Sequence, residues 1–197
     1  MSLTPMGQKL EQSATVGSLR VHNNTSSPAR YQVVVDQWVL DSVGEKAVVE
    51  TSDFRFYPAT VFELAPGQTQ TLRWKRENST ASEQAYLVKV QETPLSKTVA
   101  SGTTGMSLVP VPRFELLWTF SPAGAEPQLR AKRQGGELIL TNEGNATARL
   151  NNLSYPGVPE NSSFVLLPGE SKRFKGVSAS GELRLVSNKV PTTLIVE

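Results

Sequence analysis

The sequence predicts an all-β protein built as two β-sandwiches in tandem. Three observations carry that prediction: short apolar runs with a period near two, Pro and Gly spread between them as turn punctuation, and one strand–turn–strand pattern that occurs twice. No sustained helical period interrupts them. The first run, Leu19-Arg20-Val21-His22, enters the turn Asn23-Asn24-Thr25-Ser26-Ser27-Pro28. Arg30 to Val39 follows as a strand, with Tyr31, Val33 and Val35 on one face and Gln32, Val34, Asp36 and Trp38 on the other. Further strands are expected at Phe54–Tyr57, Thr60–Leu64, Thr69–Lys75 and Ala85–Val90. The second half supplies Arg113–Phe120, Glu137–Leu140, Ala146–Leu153, Ser163–Leu167, Ser171–Lys175 and Glu182–Val186.

The repeated pattern runs from Phe62 to Leu72 and again from Phe164 to Phe174: aromatic-x-Leu-x-Pro-Gly-x-Ser/Thr-x-x-apolar. Pro66 and Pro168 preset the first central turn residue, and Gly67 and Gly169 accept the positive φ of the second. A second matched element lies upstream of each copy, Val21-His22-Asn23 in one and Leu140-Thr141-Asn142 in the other. Asn23 precedes Pro66 by 43 residues and Asn142 precedes Pro168 by 26, so the second copy lacks a hairpin. Two related β-sandwiches in series account for this order, which a single barrel does not.

Between the copies, residues 94–105 are small and polar and predict a mobile loop. The run Met106-Ser107-Leu108-Val109-Pro110-Val111-Pro112 follows. Two prolines would remove ladder donors from a central strand, so this run is expected at an edge. The expected domains are therefore 1–112 and 113–197.

The chain has 197 residues, 38% hydrophobic and 19% charged, with a net charge of +2. That balance suits a globular protein and gives no reason to expect nucleic acid. Residues 1–95 hold nine Lys/Arg against ten Asp/Glu, and residues 96–197 hold eleven against eight; the mildly basic second half reads as a solvated face. There is no Cys and one His, His22, which leaves no ordinary zinc site. No nucleophile elbow, phosphate-cradling Gly loop or paired acids in a cleft can be read, so neither an enzyme nor a metal or other cofactor is expected. The six Asn-x-Ser/Thr sites read as turn chemistry.

Several stretches together resemble the periplasmic fimbrial (pilus) chaperone family. They are Leu19 to Asn23, Pro28 to Val35, Tyr57-Pro58-Ala59-Thr60, Leu64 to Arg73, and Glu83 to Pro94. Gly135 to Arg149 and Leu167 to Phe174 are closest to the divergent branch that includes the common-pilus chaperone. The resemblance implies a boomerang of two immunoglobulin-like domains that stabilises incomplete pilus subunits by strand addition and delivers them to an outer-membrane usher. It implies a periplasmic protein, with Met1-Ser2-Leu3 standing where a targeting segment has been removed. The donor strand would present Thr104, Met106 and Leu108 on one face.

Two family features depart from the pattern. Gly7 and Val109 stand where an Arg and a Lys would grip the subunit's terminal carboxylate. Strand parity then offers Arg113, Lys9 and Arg73 as replacement anchors. Glu83 and Arg113 match two members of the family's domain joint, whereas no Asp occupies the third position near Ser178 to Gly181. The reading from another class is a structural or adhesive surface protein with tandem immunoglobulin-like domains. Such a protein has no reason for a proline-flanked edge strand after a polar loop.

Overall fold

The computed structural model describes residues 1–78, 80, 82–95, 111–159, 162–177 and 181–196. The expected alternation of apolar and polar side chains makes strands throughout, and no helix occurs among the described residues. The strands are β1 (Ser2–Thr4), β2 (Gln8–Glu11), β3 (Val16–His22), β4 (Ala29–Leu40), β5 (Lys46–Glu50), β6 (Phe54–Tyr57), β7 (Val61–Leu64), β8 (Thr69–Arg76), β9 (Gln84–Pro94) and β10 (Arg113–Ser121). They continue as β11 (Leu129–Gln134), β12 (Glu137–Asn142), β13 (Ala148–Ser154), β14 (Phe164–Leu166), β15 (Ser171–Lys175), β16 (Glu182–Ser187) and β17 (Val190–Ile195). Four sheets result: β1-β3-β8-β6; β2-β10-β9-β4-β5 with β7 on β4; β11-β12-β15; and β14-β13-β16-β17.

The chain divides into two compact units, one from Met1–Gln37, Val49–Ser79 and Tyr86–Phe120, the other from Trp38–Val48, Thr80–Ala85 and Ser121–Glu197. In the first, Leu19, Val21, Leu72 and Trp74 of one sheet face Tyr31, Val33, Val88, Trp118 and Phe120 of the other. Each such side chain, removed from water, contributes about 1.5–3 kcal/mol. Phe54 sits among the rings, 4.9 Å edge-on from Tyr86 and 6.1 Å from Trp118. Arg76 is buried there too, 3.9 Å over the Phe120 ring. Burial lowers its pKa, an effect that Tyr86 and Asp53 oppose. Tyr86 donates to Asp53 at 2.6 Å, and burial followed by this bond raises the phenol's pKa. The second unit has its own core, in which Leu138, Leu140, Leu150, Leu166, Leu183 and Leu185 are buried.

The repeat read from sequence is also a repeat of hydrogen bonds. Asn23 and Asn142 are both fully buried. The Asn23 amide donates to Ser27 O at 2.9 Å and Leu64 O at 3.1 Å. That of Asn142 donates to Ala146 O at 2.8 Å and Leu166 O at 3.2 Å. Gly67 N and Gly169 N close on the backbone oxygens of Asn23 and Asn142, at 2.8 and 2.7 Å. Both glycines have the positive φ that the turn requires, 74° and 82°. The pairings correspond as well: β3 with β8 and β4 with β7 in the first unit, β12 with β15 and β13 with β14 in the second. The elements missing from the shorter copy are β5 and β6.

The same correspondence shows where β10 belongs. It lies beside β9 as β17 lies beside β16, and its Leu116, Trp118 and Phe120 are in the first core. The sequence reading ended the first domain at 112. In the structure the first unit runs on through Phe120, because the prolines at 110 and 112 precede a strand of that sandwich. The expected faces of β4 hold through Val35, which packs against the first core. Asp36 is then buried on the face turned from the core, where Lys89 forms an ion pair with it. Strands β5, β11 and β17 were not expected from the sequence, and the first strand implied by the parity of Gly7 and Lys9 is two strands, β1 and β2, with Gly7 in the bend between them.

Candidate binding face

The residues expected to donate a strand, Thr104, Met106 and Leu108, lie outside the described residues, as do Val109 and residues 178–180. The chain on either side of that first segment is paired: Glu92 N donates to Pro112 O at 2.9 Å. Strand β10, which follows it, is flanked by β2 on one side and β9 on the other.

Parity sorts the expected cations. Leu10 of β2 and Phe114 of β10 pack against the first core, so Lys9 and Arg113 point away from it on adjacent strands, both exposed. Lys9 has no ion-pair partner among the described residues, whereas Arg113 bridges Glu115 on its own strand at 2.5 Å. Arg73 is elsewhere. It lies on β8 in the opposing sheet, across from Ser18 and Tyr57, and turns outward between the buried Leu72 and Trp74. Gly7 occupies a bend between β1 and β2. The structure thus brings Lys9 and Arg113 to one sheet face and leaves Arg73 on another.

Sequence reasoning missed Lys89, which shares that face on β9. Its side chain is only 21% exposed and pairs with Asp36, whose side chain is 10% exposed. On the same side of β9, Ala85 and Leu87 are buried. The signal was available: Leu87 and Lys89 alternate with the core residues Tyr86, Val88 and Val90, which puts an ammonium on the outer face.

Glu83 and Arg113, expected at the domain joint, fall in different units. Glu83 accepts hydrogen bonds from Thr147 N at 2.7 Å, from the Thr147 hydroxyl and from the Ser121 hydroxyl, all within the second unit. Arg113 is taken by Glu115.

Residues 6–126 match the pili and flagellar-assembly chaperone family, PapD N-terminal domain. The chain belongs to this family. Among solved structures it is similar to a chain of the CsuC–CsuE chaperone–tip adhesion subunit pre-assembly complex, from the archaic chaperone-usher Csu pili of Acinetobacter baumannii. That likeness has a TM-score of 0.74 at 18% identity and covers 100% of this chain and 98% of that one. A chain of the Salmonella enterica SafA pilin–SafB chaperone complex gives 0.73 at 18% identity, covering 98% and 95%. The E. coli chaperone DraB gives 0.70 at 15% identity, covering 100% and 95%. No curated protein matches the chain by sequence. At such identities the structural likenesses establish the two-sandwich fold, and the family match carries the class.

Proposed function

We propose that this chain is a periplasmic chaperone that holds incomplete pilus subunits by strand addition and yields them to an outer-membrane usher. The observation that carries this reading is the family match across 6–126, which spans β9, β10 and all of the segment between them. A subunit sandwich missing one strand leaves an apolar groove open to water. A donated strand satisfies its backbone groups and fills its pockets with alternate side chains. Thr104, Met106 and Leu108 supply that alternation, with Met106 and Leu108 as the apolar members.

Lys9 and Arg113, on adjacent strands of one face, are the groups placed to meet a subunit carboxylate. Each charge-assisted hydrogen bond contributes about 1.5–3 kcal/mol. Lys89 is a third cation on that face, at the cost of parting from Asp36. Arg73, on the opposing sheet, takes no part. Co-expression with a pilus subunit tests the reading: the wild-type chain co-purifies with it, and Leu108→Asp abolishes capture without lowering the melting temperature. Capture that survives this change removes Leu108 from the donor face. Failure of the wild-type chain to hold any pilus subunit removes the reading itself.

A further inference from the structure

The sheet β11-β12-β15 turns Ala131, Leu138, Leu140 and Phe174 toward the second core. Its other face follows from the register. Lys132, Ile139 and Arg173 form one cross-strand row, Arg130, Thr141 and Ser171 the next, and Gln134, Glu137 and Lys175 a third. The cations come in two pairs, each two residues apart on a margin strand: Arg130 with Lys132, and Arg173 with Lys175. Against them stand Glu137, 3.5 Å from Arg173, and Glu143, 3.5 Å from Arg130. Lys132 and Lys175 have no ion-pair partner among the described residues. The β15 margin opens onto a groove of about 580 Å³, lined by Ser171, Lys172 and Arg173 together with Lys46 and Glu170.

From this arrangement we infer that the outer face of β11-β12-β15 is a docking surface for an extended acidic polypeptide segment. The spacing selects the partner. Alternate side chains of an extended chain are about 7 Å apart. Arg130 and Lys132 on one margin, and Arg173 and Lys175 on the other, repeat at that interval. A segment with acids two residues apart, lying along either margin strand, therefore brings two successive carboxylates to two cations. A bilayer is a poorer fit. Surface-lying membrane sites combine charge with apolar or aromatic side chains that insert, and this face offers only the half-buried Ile139. Its residues are not those proposed to meet a subunit, and the inference does not depend on the chaperone reading.

The test uses the full chain and a labelled synthetic peptide of alternating Glu and Thr, at low ionic strength where screening reaches about 30 Å. The chain carrying Lys132→Glu and Lys175→Glu is compared with one carrying Arg20→Glu and Lys75→Glu, the same charge change on exposed positions of the first unit. The account expects binding that weakens about tenfold or more in the first variant and by less than about threefold in the second. Both variants should keep the wild-type melting temperature, since all four side chains end in solvent. Equal loss in the two variants overturns the proposal, because net charge alone would then explain it. So does absence of peptide binding by the wild-type chain. Tighter, Lys132- and Lys175-dependent binding to phosphatidylglycerol vesicles than to the peptide also overturns it, in favour of a membrane.

Discussion

Replacing Lys46 by Met separates the two environments that the repeat builds around one hairpin position. Gln68 and Glu170 are equivalent: Ala65 N donates to the side-chain Oε1 of Gln68 at 2.9 Å, and Leu167 N donates to the Glu170 carboxylate at 2.8 Å. Only the second is charged, and Lys46 answers it at 3.2 Å while donating to Val165 O at 2.7 Å and lying 4.7 Å over the Trp38 ring. Methionine keeps the length and apolar stem of lysine and removes the ammonium. Glu170 then keeps one donor in a site where its side chain is 12% exposed. Leaving a buried charge unpaired costs about 3–5 kcal/mol. Lys46 itself is 23% exposed, so water reaches the pair and the expected loss falls to about 2 kcal/mol. By calorimetry that corresponds to a fall in melting temperature on the order of 5–10 °C. Adding Glu170→Gln recreates the neutral turn of the first copy, which keeps the bond from Leu167 N. The double variant should return to within about 1 kcal/mol of wild type, a coupling of at least about 1 kcal/mol. If Lys46→Met and the double variant are equally destabilised, the ammonium acts through Val165 and Trp38 and the argument from the carboxylate fails.

Four further outcomes are expected. Gly144→Ala places a Cβ 2.3 Å from Gln128 N and 2.4 Å from Glu126 O, backbone atoms that cannot swing aside, so it should cost about 2–4 kcal/mol in denaturant unfolding. Gly181→Ala, which meets open space, should stay within about 0.5 kcal/mol. Asn23→Ala and Asn142→Ala should each lose about 2–3 kcal/mol, because each removes an amide that donates to two backbone carbonyls; the loss at Asn23 should be the smaller, since Ser27 O keeps the Thr25 hydroxyl, and a larger loss at Asn23 would contradict this. Lys9→Ala and Arg113→Ala should each reduce subunit co-purification without a change in melting temperature, whereas Arg73→Ala should leave it intact.

The paired Pro-Gly hairpins and their buried asparagines were legible because each is a local strand–turn–strand unit whose conformation is written in a few adjacent residues. The strands missed lack that local signal. β11, Leu-Arg-Ala-Lys-Arg-Gln, turns only Leu129 and Ala131 inward, and its alternation of apolar with charged residues ends after Lys132, too short to mark a strand. β17 holds Pro191, which an edge position tolerates because no neighbour needs its donor. Parity, read at the candidate face from Gly7 to Lys9 and from Val109 to Arg113, meets a bend at Gly7, and Val109 lies outside the described residues. Parity could not say which sheet Arg73 joins, since β8 pairs with β3 and β6 across long stretches of chain. The partners of Glu83 escaped for the same reason: Ser121 and Thr147 are 38 and 64 residues away.

The central claim is that residues between β9 and β10 become a strand of the captured subunit. Amide hydrogen exchange of the chain, alone and in complex with a pilus subunit, tests it most directly. The account predicts that amides near Thr104, Met106 and Leu108 gain protection in the complex, and that Leu108→Asp removes both this gain and the complex. A stable complex in which protection rises on the face carrying Lys9, Lys89 and Arg113, while exchange from 104 to 108 is unchanged, would contradict strand donation.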